Sequence, residues 1–459
     1  MRRRVLLQAA ALAAGGAAGA QGAAFSADDL RHATALREAA LRDNAAWSLV
    51  EALTTEIGPR PAGSEADARA AAWAVAALQR LGLSNVRAEA MPLRIWQRGP
   101  AAARLLLPSP QPLVMAALGN SVAAPPEGIE ADVAWYADLA ALKADSSERA
   151  RGKIVFIDQK TERTRDGRGY GAAVGARLSG ASEAARRGAV ALAIRSIGTD
   201  RDRIAHTGAL AYDLSLPRIP AFAVSVPDAE LIARLNARGQ TLRLQFTLQA
   251  RADVEATTHN VIAEWPGTDL ADEIVLLGAH LDSWDLGQGA VDDGAGVAIV
   301  SAALGVLAQA GRRARRTVRV VLFGNEENGF DGARHYGDRY GSVRHQLVSE
   351  SDFGAGRVWR FASRVQPAAL PLMDSIAAQL APLGVEPGDN NGSPGPDAGV
   401  LMRRHRWPAV QLSQDGLAYF DVHHTANDTL DKVDAQALTQ NVAAWAVVAW
   451  LAAQAPLPF

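Results

Sequence analysis

The chain has 459 residues, of which 49% are hydrophobic and 21% charged, with a formal net charge of −2. That is the make-up of a globular protein with room for two or three domains, or for one large domain carrying an insertion. The charge makes no electrostatic case for nucleic acid, which calls for a basic stripe, and the absence of cysteine excludes disulfides, thiol nucleophiles and Cys-ligated zinc.

In chain order, MRRRVLLQAAALAAGGAAGAQ reads as an export signal over residues 1–20. Arg2, Arg3 and Arg4 form a positive start, Val5 to Ala14 a short apolar run, and Ala18-Gly19-Ala20 a cleavage site before Gln21. The run is too short and too rich in Gly and Ala to anchor in a bilayer, so no membrane span is expected. The arginines and weak hydrophobicity resemble a twin-arginine signal, although no Ser or Thr precedes the pair. The expected destination is the periplasm or the medium. Cleavage would take Lys+Arg from 47 to 44 against 49 acidic residues, leaving −5.

Residues 44–82 predict two helices, WSLVEALTTEI and EADARAAAWAVAALQRLG, joined by the turn GPRPAGS. NVRAEAMPLRIW predicts a strand. Beyond residue 100 the texture changes to short apolar runs and Pro-rich turns, so 102–250 reads as an inserted, β-rich domain, within which GKIVFID is a strand, ASEAARRGAVALAI a helix running into a strand and IPAFAVSVPDAELIARL a strand running into a helix. From residue 254 apolar strands alternate with helices: HNVIAEW, EIVLLGAH, the helix GAGVAIVSAALGVLAQA, TVRVVLF, HQLVSESD, WPAVQLS and the C-terminal helix AQALTQNVAAWAVVAWLAAQ. That alternation predicts an α/β fold with a mostly parallel central sheet and helices on both faces.

Polar clusters sit at the ends of those strands, where open α/β sheets bind ligands. HLDSWDLGQGAVDDG carries His280, Asp282, Asp285, Asp292 and Asp293 with no Lys or Arg among them. Later strand ends add Glu326 and Glu327, then Asp352, then His423 and His424. Carboxylates this dense would repel one another unless protonated or bound to a cation, and histidine with carboxylate suits zinc. There is no HExxH and no GxSxG, which argues against a helix-borne single-zinc protease and against an α/β-hydrolase.

The order H-x-D, D-D-G, E-E, D, H-H-T resembles the co-catalytic di-zinc exopeptidase family, which includes aminopeptidases and glutamate carboxypeptidases. HLDSWDLGQGAVDDGAG is similar to its carboxypeptidase Q branch. The resemblance spans nearly the whole mature chain, with IGPRPAGSEADARAAAW as the family's first segment. It implies a peptidase domain built from 21–101 and 251–459, with 102–250 as a protease-associated insert. It implies two Zn2+ ions bridged by Asp292, one also held by His280 and Asp352, the other by Glu327 and His424. Glu326 would be the general base, Asp282 would orient His280, and the Asp292–Asp293 peptide would be cis. The implied activity is hydrolysis of dipeptides or short peptides through a hydroxide bridging the two zinc ions. Aminopeptidase action on longer peptides is the runner-up. A catalytically silent receptor-like ectodomain should have lost ligands, and a single-zinc cyclase should lack the insert. The family often forms homodimers, which no residue here tests.

Some assignments have rivals. Glu350 lies two residues from Asp352 on the same strand face, and His423 adjoins His424. Asp285 and Asp293 read as caps of the loop and of the following helix. Trp284 reads as packing and His259 as structural. His32, His206, His335, His345 and His405 lack acidic neighbours at metal spacing and receive no role. GRGYGAAVG completes no phosphate-binding pattern. Asp397 falls where the family has an acidic loop near the substrate. The adjoining RRHR run reads as a solvated basic loop, with Arg403 or Arg404 meeting a substrate carboxylate as a second reading.

Overall fold

The computed structural model describes residues 24–459, so the signal segment 1–20 lies outside the described residues. The first element is a helix the periodicity did not predict, Ala27–Arg42, capped by Ser26 Oγ, which accepts the Asp29 N–H at 3.1 Å. Its buried stripe is Ala33, Leu36, Arg37 and Ala40, too weak in hydrophobic contrast to stand out in an Ala- and Arg-rich chain. It packs on the C-terminal helix Ala435–Gln454, whose Trp445 and Trp450 are fully buried. The two predicted helices follow, Ala46–Ala52, extended by a π turn over Leu53–Ile57, and Glu65–Arg80, capped by Ser64.

The sheet is mixed and mostly parallel. Four strands at its centre run parallel in the order Ala409–Gln414, His345–Glu350, Leu270–His280, Arg316–Phe323. Antiparallel strands flank them, Val358–Arg364 on one side and Arg243–Trp265 on the other. Alternation along Leu270–His280 divides the interior. Val275, Leu277 and Ala279 face a core shared with helices Ala295–Gln309 and Ala435–Gln454. Ile274 and Leu276 face a second core with Tyr336 and Leu401, from helices Asp331–Tyr340 and Pro396–His405. Among the described residues the one stretch long and apolar enough to cross a membrane, Ala290–Gln309, is wholly buried in this packing.

The expected insert limits, 102 and 250, fall inside two long strands, Ser84–Leu107 and Arg243–Trp265, paired antiparallel. A ribbon, not a loop, therefore joins the two parts of the sheet. Its register brings Ala102 opposite Thr247 and Arg98 opposite Ala250. Residues 102–250 hold the helices expected in ASEAARRGAVALAI and IPAFAVSVPDAELIARL together with their strands. Ile129–Tyr136, Ile154–Ile157, Ala191–Arg195 and Ala221–Val224 pair in parallel, which requires crossovers; helices Leu139–Ala144 and Gly175–Arg186 lie in the first two, and Val226–Ala237 leads from the last strand to the long strand Arg243–Trp265. Val155 and Ile157 face one core with Ala181 and Ala184, while Ile154 and Phe156 face another with Ala229 and Ile232.

Candidate metal centre and active site

The acidic loop after Leu270–His280 has its cation from elsewhere in the chain. Arg60, in the GPRPAGS turn, is fully buried beneath the loop. Its Nε donates to Leu281 O at 2.5 Å, Nη1 to Gln288 O at 2.9 Å and Nη2 to Gly289 O at 2.9 Å. Gly289 has φ +61°, and a Cβ there would lie 2.4 Å from Ser283 Cβ, so the turn admits only glycine. Asp428 holds the end of the same loop. Its carboxylate accepts the N–H of Ala290 at 2.9 Å, Val291 at 2.7 Å and Asp292 at 3.2 Å. Asp293 does cap the next helix, accepting Gly296 N–H at 3.1 Å, and its other oxygen accepts His280 N–H at 3.1 Å. Asp285 does not cap; it pairs with Arg98 Nε at 2.7 Å, from the long ribbon. The Asp292–Asp293 peptide is cis.

The five residues matched to the family's ligands converge. His280 Nε2 lies 3.1 Å from Asp292 Oδ1 and 3.6 Å from Asp352 Oδ1. His424 Nε2 lies 3.2 Å from Asp292 Oδ2 and 3.1 Å from Glu327 Oε2. Asp292 thus stands between two His–carboxylate pairs, one on each oxygen. Of the rivals, Glu350 turns away and accepts Ala398 N–H at 2.9 Å, beside the buried Asp397. His423 stacks on His424 at 3.6 Å between ring centroids, with its Nε2 3.4 Å from Asp292 Oδ2. His280, Asp292 and Glu327 offer ligand atoms close enough to share one ion.

Asp282 stands in a different relation to His280 from the one expected. Its main-chain carbonyl faces His280 Nδ1 at 2.9 Å, while its carboxylate lies 3.8 Å away and accepts the Glu326 N–H at 3.1 Å. One residue thereby fixes both the histidine ring and the neighbouring glutamate. Burial drives the Glu326 carboxyl well above the usual carboxylate range, and Asp352, Glu327 and Asp397 push it further while His280 opposes. Burial likewise raises Glu327 to about 7, against the pull of His424. Charge of this density without a counter-ion is the condition that a bound cation relieves.

Residues of the 102–250 stretch form one wall of a cleft of about 690 Å³ that reaches Asp292, Glu326, Glu327, Asp352 and His424. Main-chain bonds tie it to the histidine segment, Thr207 N–H to His424 O and Thr199 N–H to Phe420 O, both at 2.9 Å. His424 Nε2 is turned to the carboxylates, while its Nδ1 lies between Thr207 O at 3.4 Å and Arg177 Nη1 at 3.3 Å. His206, to which the sequence assigned no role, stacks on His424 at 5.3 Å and is buried. Its partners come from distant segments, and nothing in its own neighbourhood signals them. Tyr170, within GRGYGAAVG, and Arg177, two residues beyond it, line the same wall. Trp284 packs as expected, with its ring where a Gly119 side chain would stand. Arg404 pairs with Asp338 on the surface, and Arg403 lines a smaller cavity with Glu350 and Asp352.

The model of peptidase family M28 matches residues 260–449. Carboxypeptidase Q of Mus musculus is 34% identical over 412 residues, covering 89% of this chain and 86% of its own length. The chain belongs to peptidase family M28. This M28 peptidase is a hydrolase, similar in kind to the metallo-exopeptidase carboxypeptidase Q. The crystal structure of a peptidase M28 precursor from Shewanella amazonensis aligns with it at a TM-score of 0.92 and 44% identity, covering 94% of this chain and 98% of that one. The zinc aminopeptidase of Bacillus subtilis shares its fold, with a TM-score of 0.61 at 19% identity over 88% of this chain and 93% of that one.

Proposed function

We propose that this M28 chain is an exported zinc exopeptidase that hydrolyses dipeptides and short peptides. The observation that carries the reading is Asp292, whose two oxygens face two separate His–carboxylate pairs with Glu326 alongside. In this reading His280, Asp292 and Asp352 hold one zinc ion, and Asp292, Glu327 and His424 hold the second. The donors fit: they are imidazole and carboxylate only, and Asp292 Oδ2 and Glu327 Oε1 are buried without a hydrogen-bond donor among the described residues. Bound there, such ions polarise a scissile carbonyl and acidify water near neutral pH.

The chain's own part is proton handling. Glu326, oriented through its N–H by Asp282, takes a proton from the attacking water and returns it to the leaving nitrogen. The adjacent Glu327 is turned to His424, which leaves Glu326 free for that task. Residues 21–101 and 251–459 would form the peptidase domain and 102–250 a protease-associated insert, in keeping with the separate cores inside the insert. Export rests on the N-terminal sequence and predicts a mature protein beginning at Gln21. A silent receptor-like role is disfavoured, because all five candidate ligands and Glu326 are retained and converge.

The test is metal content and turnover of wild type and Glu326→Gln on a dipeptide panel that includes N-acetylated forms. The reading expects about two zinc ions per chain and near-total loss of turnover in Glu326→Gln with metal retained. An active Glu326→Gln enzyme would refute the mechanism. Rapid cleavage of longer peptides, blocked by N-acetylation, would favour the aminopeptidase reading.

A further inference from the structure

The cleft contains a cation that the proposed chemistry does not use. Arg177 projects from helix Gly175–Arg186 of the inserted stretch and is 7% exposed. Every hydrogen bond it makes among the described residues leaves from Nη1: to Tyr170 Oη at 2.7 Å, Thr207 O at 3.3 Å and His206 Nε2 at 3.5 Å. The same atom lies 3.3 Å from His424 Nδ1. No carboxylate among the described residues pairs with it. Its Nε is buried and without a partner.

A guanidinium keeps its charge at any physiological pH, and burying one without an anion is costly. The unused side of this one is the Nε/Nη2 edge, one of the edges that meets a carboxylate with two parallel hydrogen bonds. Of the carboxylates that share the cleft, Asp292, Asp352 and Glu327 are turned to His280 and His424, and Glu326, the proposed base, makes no ion pair with Arg177. The missing anion therefore has to arrive with the ligand. Only the His424 ring separates Arg177 from the shared carboxylate, since its Nδ1 faces the guanidinium and its Nε2 faces Asp292 at 3.2 Å.

We propose that Arg177 is a substrate-binding residue that takes the free C-terminal carboxylate of a dipeptide, with Tyr170 and His206 holding the guanidinium in place. The proposal rests on the exopeptidase reading and deepens it. In a dipeptide the carboxylate lies one residue beyond the scissile bond, where a longer peptide presents a neutral amide. Arg177 would then select for length. Of the candidates that the basic run RRHR suggested, Arg404 is paired with Asp338 and Arg403 lines a neighbouring cavity instead of this cleft.

The experiment compares a dipeptide with its C-terminal amide, using the full mature chain loaded with zinc. Wild type should prefer the free acid in kcat/KM, on the order of tenfold to a hundredfold, as charge-assisted hydrogen bonds allow. Arg177→Gln should bring the ratio close to one, chiefly by raising KM for the acid. Arg177→Lys, which keeps charge without the fork, should give an intermediate ratio and serves if the glutamine variant fails to fold. An arginine that acted only through His424 would slow acid and amide alike, and an unchanged ratio would overturn the proposal. So would a wild type with no preference for the acid. A wild type that hydrolyses neither form would overturn the exopeptidase reading and this proposal with it, whereas turnover with an unchanged ratio overturns Arg177 alone.

Discussion

The carboxylate of Asp428 accepts the backbone N–H of Asp292 at 3.2 Å, as well as those of Val291 and Ala290. The residue that both histidine–carboxylate pairs share is thus held through its main chain, and its side chain stays free. Replacing Asp428 by Ala removes the acceptor for three buried donors. The expected outcome is weaker zinc binding by on the order of tenfold to a hundredfold, the usual cost of losing support behind a metal ligand. Competition with a chelating dye measures it. Unchanged affinity in Asp428→Ala would mean that the helix turn holds Asp292 unaided.

Arg60 serves the other end of the loop. Its guanidinium donates to the carbonyls of Gly58, Leu281, Gln288 and Gly289, of which all but Gln288 are buried. Arg60→Met takes this donor from three buried acceptors, at about 1–3 kcal/mol each, and from the half-buried Gln288 carbonyl. A loss of at least ~3 kcal/mol of unfolding free energy is expected, read from urea midpoints with chelator present so that metal binding does not enter. Arg60→Lys should recover only part, because an ammonium cannot span three carbonyls in one plane. If Arg60→Met unfolds at the wild-type midpoint, the loop does not depend on this fork.

What the sequence made legible follows from locality. Strand ends with chemistry on them are local patterns, so His280, Glu327, Asp352 and the His423-His424 pair could be read as one rim before any geometry was known. The parallel strands Leu270–His280, Arg316–Phe323 and His345–Glu350 do bring them to one side. The supports were illegible because they act over long separations. Asp428 is 138 positions from Ala290, and Arg60 is 221 positions from Leu281. Arg60 sits in a Gly/Pro-rich turn and Asp428 in HTANDTL, where a charged residue has a sufficient local explanation. The inserted stretch hid its share of the site for the same reason: Arg177 and His206 acquire meaning only when Thr207 pairs with His424.

The choice between the adjacent histidines is open to direct measurement. Both Nε2 atoms point at Asp292 Oδ2, at 3.2 Å from His424 and 3.4 Å from His423, but only His424 also meets a second carboxylate, Glu327. His424→Ala should bind one zinc ion fewer per chain than wild type, while His423→Ala binds the wild-type number. Metal analysis after gel filtration in zinc-limited buffer measures both. The reverse pattern would transfer the ligand role to His423.

Far from the cleft, His345 sets an acid limit on stability. It is buried, stacks on Trp407 at 3.6 Å, faces Val343 O through Nδ1 at 2.9 Å and faces Tyr336 Oη through Nε2 at 2.9 Å. The neutral ring satisfies both contacts, as donor to the carbonyl and acceptor from the phenol. Burial lowers its pKa from 6.5 to about 3, against the Val343 carbonyl and with help from Arg319 and His405. Below pH 6.5 the unfolded chain binds a proton there that the folded chain refuses, so stability falls as pH drops through the window from 6.5 towards 3. One such group contributes about 1.4 kcal/mol per pH unit within that window. His345→Gln should cost stability at neutral pH, yet its unfolding free energy should fall less steeply than wild type between pH 6 and pH 4, by about that slope. Parallel pH profiles for the two proteins would show that His345 takes up its proton in the folded state and that other groups set the acid limit.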